Sequence, residues 1–316
     1  MLSLRKLLSI KRGILMKRRY FIKTITAGSA AAVLPLSLTG IGKLYAQKAP
    51  PDAVWVSNGE PNDLVARALK ELGGMSRFIS KGDVVVVKPN IGWDRNPSLA
   101  ATTNPDVLAA VIKLCYEAGA KEVKVFDRTC NEPRRCYNNS KIEETAKKAG
   151  ANVSQMRNNK YREIKIDGRM IDSWEIYEEY LDADKVINLP IAKHHSLSKV
   201  TLGLKNLMGV MGGNRGSLHS NFSQKIVDID RKILPTLNII DAYRTLVANG
   251  PQGGNPDHVK LTKTLIASPC IVTADKLALE LFGHTINQVE HIRLAAEQGL
   301  AKYDPDKANV KRVNLG

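Results

Sequence analysis

The chain has 316 residues, 43% hydrophobic and 25% charged, an ordinary globular balance with ample core for one large α/β domain or two closely packed lobes. The net charge of +16 invites a polyanionic partner, yet residues 1–46 hold nine Lys/Arg and no Asp or Glu. The remainder carries 38 basic against 31 acidic residues, a surplus of +7, which argues against nucleic acid and permits an acidic small molecule.

The N-terminal segment reads as a targeting signal. Lys17-Arg18-Arg19-Tyr20-Phe21-Ile22-Lys23 precedes Thr24–Leu38, an Ala-rich apolar stretch broken by Pro35. That stretch is short and mild for a bilayer span, which needs about 20 apolar residues. A basic n-region followed by an apolar h-region is the layout of an export signal, and Arg18-Arg19 followed by Tyr-Phe-Ile-Lys matches the twin-arginine type. Cleavage after Ala46 would leave 47–316 as the mature α/β domain; an uncleaved anchor helix is the alternative, and Met16 is a second candidate start. The expectations are a periplasmic protein, the twin-arginine machinery as partner, and membrane contact only during export. Export in the folded state suits a protein loaded with a metal or cofactor, although rapid folding alone suffices.

In the mature part, Val54–Val56 reads as a strand and Asn62–Leu72 as an amphipathic helix. Val84–Val87 is a run of valines suited to a strand buried on both faces of a parallel sheet, and it ends in Lys88-Pro89-Asn90. Asn104 caps a helix that begins at Pro105 and runs to Gly119. Lys121–Phe126 is the next strand, ending at Asp127-Arg128-Thr129; Ser140–Ala149 reads as helix, with Ala151–Met156 and Arg162–Asp167 as short strands. Lys185–Leu189 is a strand stopped by Pro190 and followed by Lys193-His194-His195. Leu197, Val200, Leu204 and Met208 then recur at helical spacing, which would set Thr201 and Lys205 on one side of a helix. Gly209, Gly212, Gly213 and Gly216 break it. Leu237–Ile240 ends at Asp241, Leu265–Ala267 is a strand, Thr273–Phe282 and Gln288–Gln298 are helices, and Val310–Val313 closes the chain as a strand. Alternating strands and helices predict a mostly parallel, doubly wound sheet with flanking helices.

Four stretches carry a family resemblance: Val85–Asn90, Ile187–His219, Pro235–Gly254 and Ile292–Gly299, with K-x-H…LKN and NGPxGG as the more specific elements. On these the chain resembles the domain-of-unknown-function family 362. Many relatives add a ferredoxin-like cysteine cluster for iron–sulfur centres. The four cysteines here form no such cluster, so an electron-transfer role does not carry over.

Polar groups gather at the C-terminal ends of several strands: Lys88 and Asn90, Asp127 and Arg128, Lys193 to His195, and Asp241. In a parallel sheet those ends share one edge, where α/β folds place ligands, so these residues are expected to converge. Lys193 or Lys205 would serve as base with His194 or His195 as partner, and Asn206 would orient the ligand. Lys193, Lys205 and Arg215 would make an electropositive patch, and the glycine loops Gly212–Gly216 and Asn249–Gly254, the latter with Gly253 and Gly254, offer N–H groups to an anion. Neither loop matches a nucleotide fingerprint. Thr201 and His195 complete the expected ligand contacts. A divalent metal would take one of the paired histidines, such as His194, with His219 and Asp241 or Asp228; a loop imidazole bonded to backbone is the alternative. Cys115 and Cys270 read as core, whereas Cys130 and Cys136 flank a short loop and would pair as a disulfide outside the cytoplasm. The functional expectation is an exported enzyme using Lys/His acid–base chemistry on a small anion, with a metal as an optional aid. The alternatives are a non-catalytic binder of a metal ion or acidic solute, and a redox protein.

Overall fold

The computed structural model describes residues 49–316, so the export signal expected over residues 1–46 lies outside the described part. In chain order the strands are β1 (Ala53–Ser57), β2 (Val84–Pro89), β3 (Glu122–Val125), β4 (Asn152–Val153), β5 (Tyr161–Lys165), β6 (Ser173–Tyr177), β7 (Lys185–Leu189), β8 (Ile191–His195), β9 (Lys199–Thr201), β10 (Leu237–Leu246), β11 (Val259–Ser268) and β12 (Val310–Asn314). The helices are α1 (Pro61–Glu71), α2 (Pro105–Glu117), α3 (Pro133–Asn139), α4 (Ile142–Lys148), α5 (Glu178–Leu181), α6 (Gly203–Asn206), α7 (Phe222–Asp230), α8 (Ile271–Ala278) and α9 (Glu290–Glu297).

The main sheet runs β12-β1-β11-β10-β7-β2-β3-β4, with β8 continuing beside β10 and β9 paired to β8. Its centre, β10-β7-β2-β3-β4, is parallel. β11 runs antiparallel to both β1 and β10, so the sheet is mixed rather than uniformly parallel. Alternation along β2 explains its valines: Val85 and Val87 enter one apolar layer with α1 and α2, while Val86 enters the other with α6 to α9. Both faces of the sheet are covered. At the start of α2 the Asn104 side chain accepts the Asp106 N–H at 2.9 Å and Pro105 occupies the first turn, as the sequence implies.

Three sequence expectations are corrected. The helix over Leu197–Met208 is instead the β8–β9 hairpin followed by one turn, α6, and a 3-10 turn at Leu207–Val210. Helical spacing lost here because β10 extends past β7 and offers its free edge to β8. The strand near Arg162 does not join the main sheet; β5 and β6 form a separate two-stranded hairpin. Pro133 starts α3, which turns the supposed Cys130–Cys136 loop into a helix entry. Among the described residues no helix is long and apolar enough to cross a membrane.

Candidate functional site at the strand ends

Between β2 and β7 the chain's progress across the sheet reverses, and a cavity of about 670 Å³ opens at their C-terminal ends. Beneath its floor lies a fully buried ion pair. Lys88 Nζ donates to Asp127 Oδ1 at 2.7 Å and to the Pro89 carbonyl at 2.8 Å, while Asp127 Oδ2 accepts the Ile91 N–H at 2.6 Å. Burial pulls the Lys88 amine below its ordinary range, and Asp127 opposes that pull. Asp127 lines the cavity, but its charge is already engaged.

Above this pair Asn90 bridges two elements. Its Nδ2 donates to Asn206 Oδ1 at 3.0 Å, and its Oδ1 accepts from Lys193 Nζ at 3.1 Å. Asn206 in turn donates to Asn188 Oδ1 at 2.9 Å, and Asn188 donates to Gly203 O and to Asn238 Oδ1. This chain of amides, buried except for the half-buried Asn90, ties β2, β7 and β10 to α6 at the cavity. Asn188 and Asn238 support the site without being singled out by sequence pattern, although each is a lone amide inside an apolar strand run.

Lys193 lies on β8, 1% exposed, with Nζ also donating to the Ala101 carbonyl. Burial pushes its pKa down to about 7. Lys205, on α6, packs its Nζ against Met208 Sδ and over the Phe222 ring at 5.1 Å, and burial pushes it down to about 8. Arg215 holds the loop after β3, donating to the Arg128 and Thr129 carbonyls at 3.1 Å. Arg128 donates back to the Met211 carbonyl at 2.9 Å, so the two guanidiniums clasp the glycine loop to the strand end. Among the described residues Lys193, Lys205, Arg128 and Arg215 form no salt bridge, leaving positive charge uncompensated around the cavity.

His195 shares the cavity face of β8 with Lys193, two residues away. Its Nδ1 accepts the Leu197 N–H at 3.1 Å and the Ser198 N–H at 3.4 Å, which leaves the ring proton on Nε2. Burial first, then the Lys205 and Lys193 charges, push its pKa down to about 3, so the ring is neutral. Thr201 on β9 sits directly across from Lys193, buried, with no partner for Oγ1 among the described residues. His219 and Cys130 also line the cavity.

Several expected site residues are placed elsewhere. Strand alternation turns His194 away from the cavity, where its Nδ1 accepts the Gly250 N–H at 3.1 Å and pins the second glycine loop. Gly253 and Gly254 consequently pack near Leu246 and Arg95 rather than in the cavity wall. Asp241 is fully buried and accepts the Asn104 N–H at 2.7 Å and the Tyr243 N–H at 3.0 Å, tying the start of α2 to β10. The metal set His194, His219 and Asp241 is therefore not brought together, and no group of three His, Cys, Asp or Glu side chains suited to a metal occurs among the described residues. The alternative carboxylate, Asp228, binds the Met170 N–H and Gln224 instead. Cys130 and Cys136 are both free thiols; Cys136 is buried on α3 and Cys130 lines the cavity.

Residues 85–280 match the family described as "Domain of unknown function (DUF362)". The chain belongs to this family. A curated relative, a thylakoid-associated protein of Synechocystis sp., is 31% identical over 215 residues, 66% of this chain and 65% of its own length. The matched part thus spans just under two thirds of that relative. Among solved structures, the lactate racemase apoprotein of Thermoanaerobacterium thermosaccharolyticum is similar at a TM-score of 0.47 and 13% identity, over 74% of this chain and 57% of that one. A Thermotoga maritima crystal structure is similar at 0.44 and 14%, over 72% and 60%.

Proposed function

We propose that this DUF362 protein binds a small anionic molecule in the cavity at the strand ends and performs proton transfer on it with Lys193. The observation that carries the reading is a set of buried or half-buried cations, Lys193, Lys205 and Arg215, lining one cavity without a carboxylate of their own. A desolvated ammonium gains most from an anion that arrives with the ligand. Lys205 and Arg215 hold the anion, Lys193 exchanges the proton, and the neutral His195 donates from Nε2. A capture protein would use the same cations; an amine that titrates near neutrality favours turnover. The metal-assisted variant has no support in the donor geometry, and no step is assigned to a metal. We further assign residues 1–46 to twin-arginine export into the periplasm, on the Arg18-Arg19 motif.

The test is calorimetric titration of the purified chain with small carboxylates and inorganic phosphate in buffers of different ionisation enthalpy. An arriving anion raises the pKa of Lys205, which holds it, so binding near pH 8 is expected to take up protons. Lys205→Met is expected to weaken binding about tenfold. Absence of binding across the panel, or binding without proton uptake, would overturn the reading.

A further inference from the structure

The β8–β9 hairpin sets three chemically distinct groups on one face of the cavity. Lys193 and Thr201 are directly paired across the hairpin, and His195 is the next residue on the same side of β8. Lys193 Nζ gives hydrogen bonds to Asn90 Oδ1 and to the Ala101 carbonyl, both uncharged acceptors. A neutral amine has two N–H groups, so these two bonds use both and leave its lone pair as the only remaining polar valence. The hydroxyl of Thr201, across the hairpin from it, is buried at 3% exposure and has no partner among the described residues. A buried hydroxyl without a partner is costly, and a ligand oxygen there would satisfy it.

We propose that Lys193 is a nucleophile as well as a base, and that the cavity takes a small oxo-acid whose carbonyl carbon condenses with Nζ. Thr201 and His195 hold the carbonyl oxygen and Lys205 holds the carboxylate. This rests on the anion-site reading above and names its substrate class. In the first step the Nζ lone pair forms the N–C bond while the carbonyl π pair moves to oxygen, which takes one of the nitrogen's protons. The carbinolamine then expels that hydroxyl with the second nitrogen proton as water, leaving an imine. The step consumes no oxidant or reductant. Desolvation keeps a large share of the amine neutral near pH 7, the condition an imine-forming lysine requires. The unpartnered hydroxyl across the hairpin supplies the hydrogen bond that the carbonyl oxygen, and then the carbinolamine hydroxyl, takes up.

Incubation of the chain with pyruvate and sodium cyanoborohydride tests this, followed by peptide mapping of the reduced adduct. The expected result is a single secondary-amine adduct on Lys193. Acetone, which has the carbonyl but no carboxylate, is expected to react about tenfold more slowly. Lys205→Met should remove that preference, and Thr201→Val should slow the adduct without moving it. Mapping on the wild-type chain requires no variant to fold. Adducts spread over exposed lysines, or none on Lys193, would overturn the proposal. If anions still bind with proton uptake in the calorimeter, only the nucleophile role falls; if they do not, the anion site falls with it.

Discussion

Gly209 shows how little freedom single residues have around this cavity. A Cβ at that position would lie 1.8 Å from Asp127 Oδ1 and 2.6 Å from Lys88 Nζ. The Gly209 carbonyl also accepts the Arg128 N–H at 2.9 Å, so the glycine presses the loop directly onto the buried ion pair. Gly209→Ala must part Lys88 from Asp127 or displace the loop, and breaking a buried pair costs about 3–5 kcal/mol. Urea denaturation is expected to show a loss of that size, with anion binding lost as well. A midpoint within experimental error of wild type would mean the loop can yield without disturbing the pair.

At the level of elements, the one-turn helix α6 carries both Lys205 and Asn206 and would not persist alone. It is held from outside: Asp275, on α8, accepts the Gly203 N–H at 2.6 Å and the Leu204 N–H at 2.9 Å. This is an N-cap delivered from a distant helix, and Gly203 allows the close approach, since a Cβ there would meet Asp275 Oδ1 at 2.7 Å. Asp275→Ala is expected to cost about 1–2 kcal/mol of stability. It should also weaken anion binding through the loosened Lys205, whereas Asp275→Asn, which keeps one acceptor, should fall between. Equal anion affinity in the alanine variant would show that α6 is set by the amide chain instead.

Over the whole molecule, the buried ionisable groups give stability an unusual dependence on pH. Burial raises Asp241 to about 6 and Asp275 to about 7 from 3.8, so the folded chain keeps protons that the unfolded chain releases. Their contribution falls as pH rises through that window. Lys193 and Lys205 are lowered to about 7 and about 8 from 10.5, so their penalty is full below those values and is relieved as pH climbs toward 10.5. His195 and His291, lowered by burial to about 3, act in the opposite sense over the acidic range, while Asp230, also raised by burial, adds to Asp241 and Asp275. The balance leaves a stability minimum near neutrality with a shallow acidic limb and a steeper alkaline one, each group weighing roughly 1.4 kcal/mol per pH unit. Exposed pairs such as Lys148–Glu144 alter this little. Urea midpoints at about pH 5, 7 and 9 should trace the minimum. Asp275→Asn should flatten the acidic limb and Lys193→Met the alkaline one; a monotonic curve unaffected by either variant would contradict it.

Local pattern alone marked the valine strand β2, the Asn104–Pro105 helix start, and the polar groups at strand ends that become Lys88, Asn90, Asp127 and Lys193. Those features depend on near neighbours in the chain, so periodicity and capping chemistry suffice to read them. The tertiary structure decided which way each candidate points. His194 and His195 are adjacent in sequence, and only the pairing of β8 with β10 and β9 determines that His195 enters the cavity while His194 pins a loop. Asp241 has the look of a site carboxylate in sequence, but the fold engages it with the Asn104 N–H at the start of α2 and the Tyr243 N–H of its own strand. A proline-initiated helix, which the loop reading of Cys130–Cys136 does not anticipate, buries Cys136 while Cys130 stays exposed, both as free thiols. A sequence states which chemical groups are available, but pairing across the sheet sets their direction, because partners distant in the chain compete for the same hydrogen bonds and apolar surface.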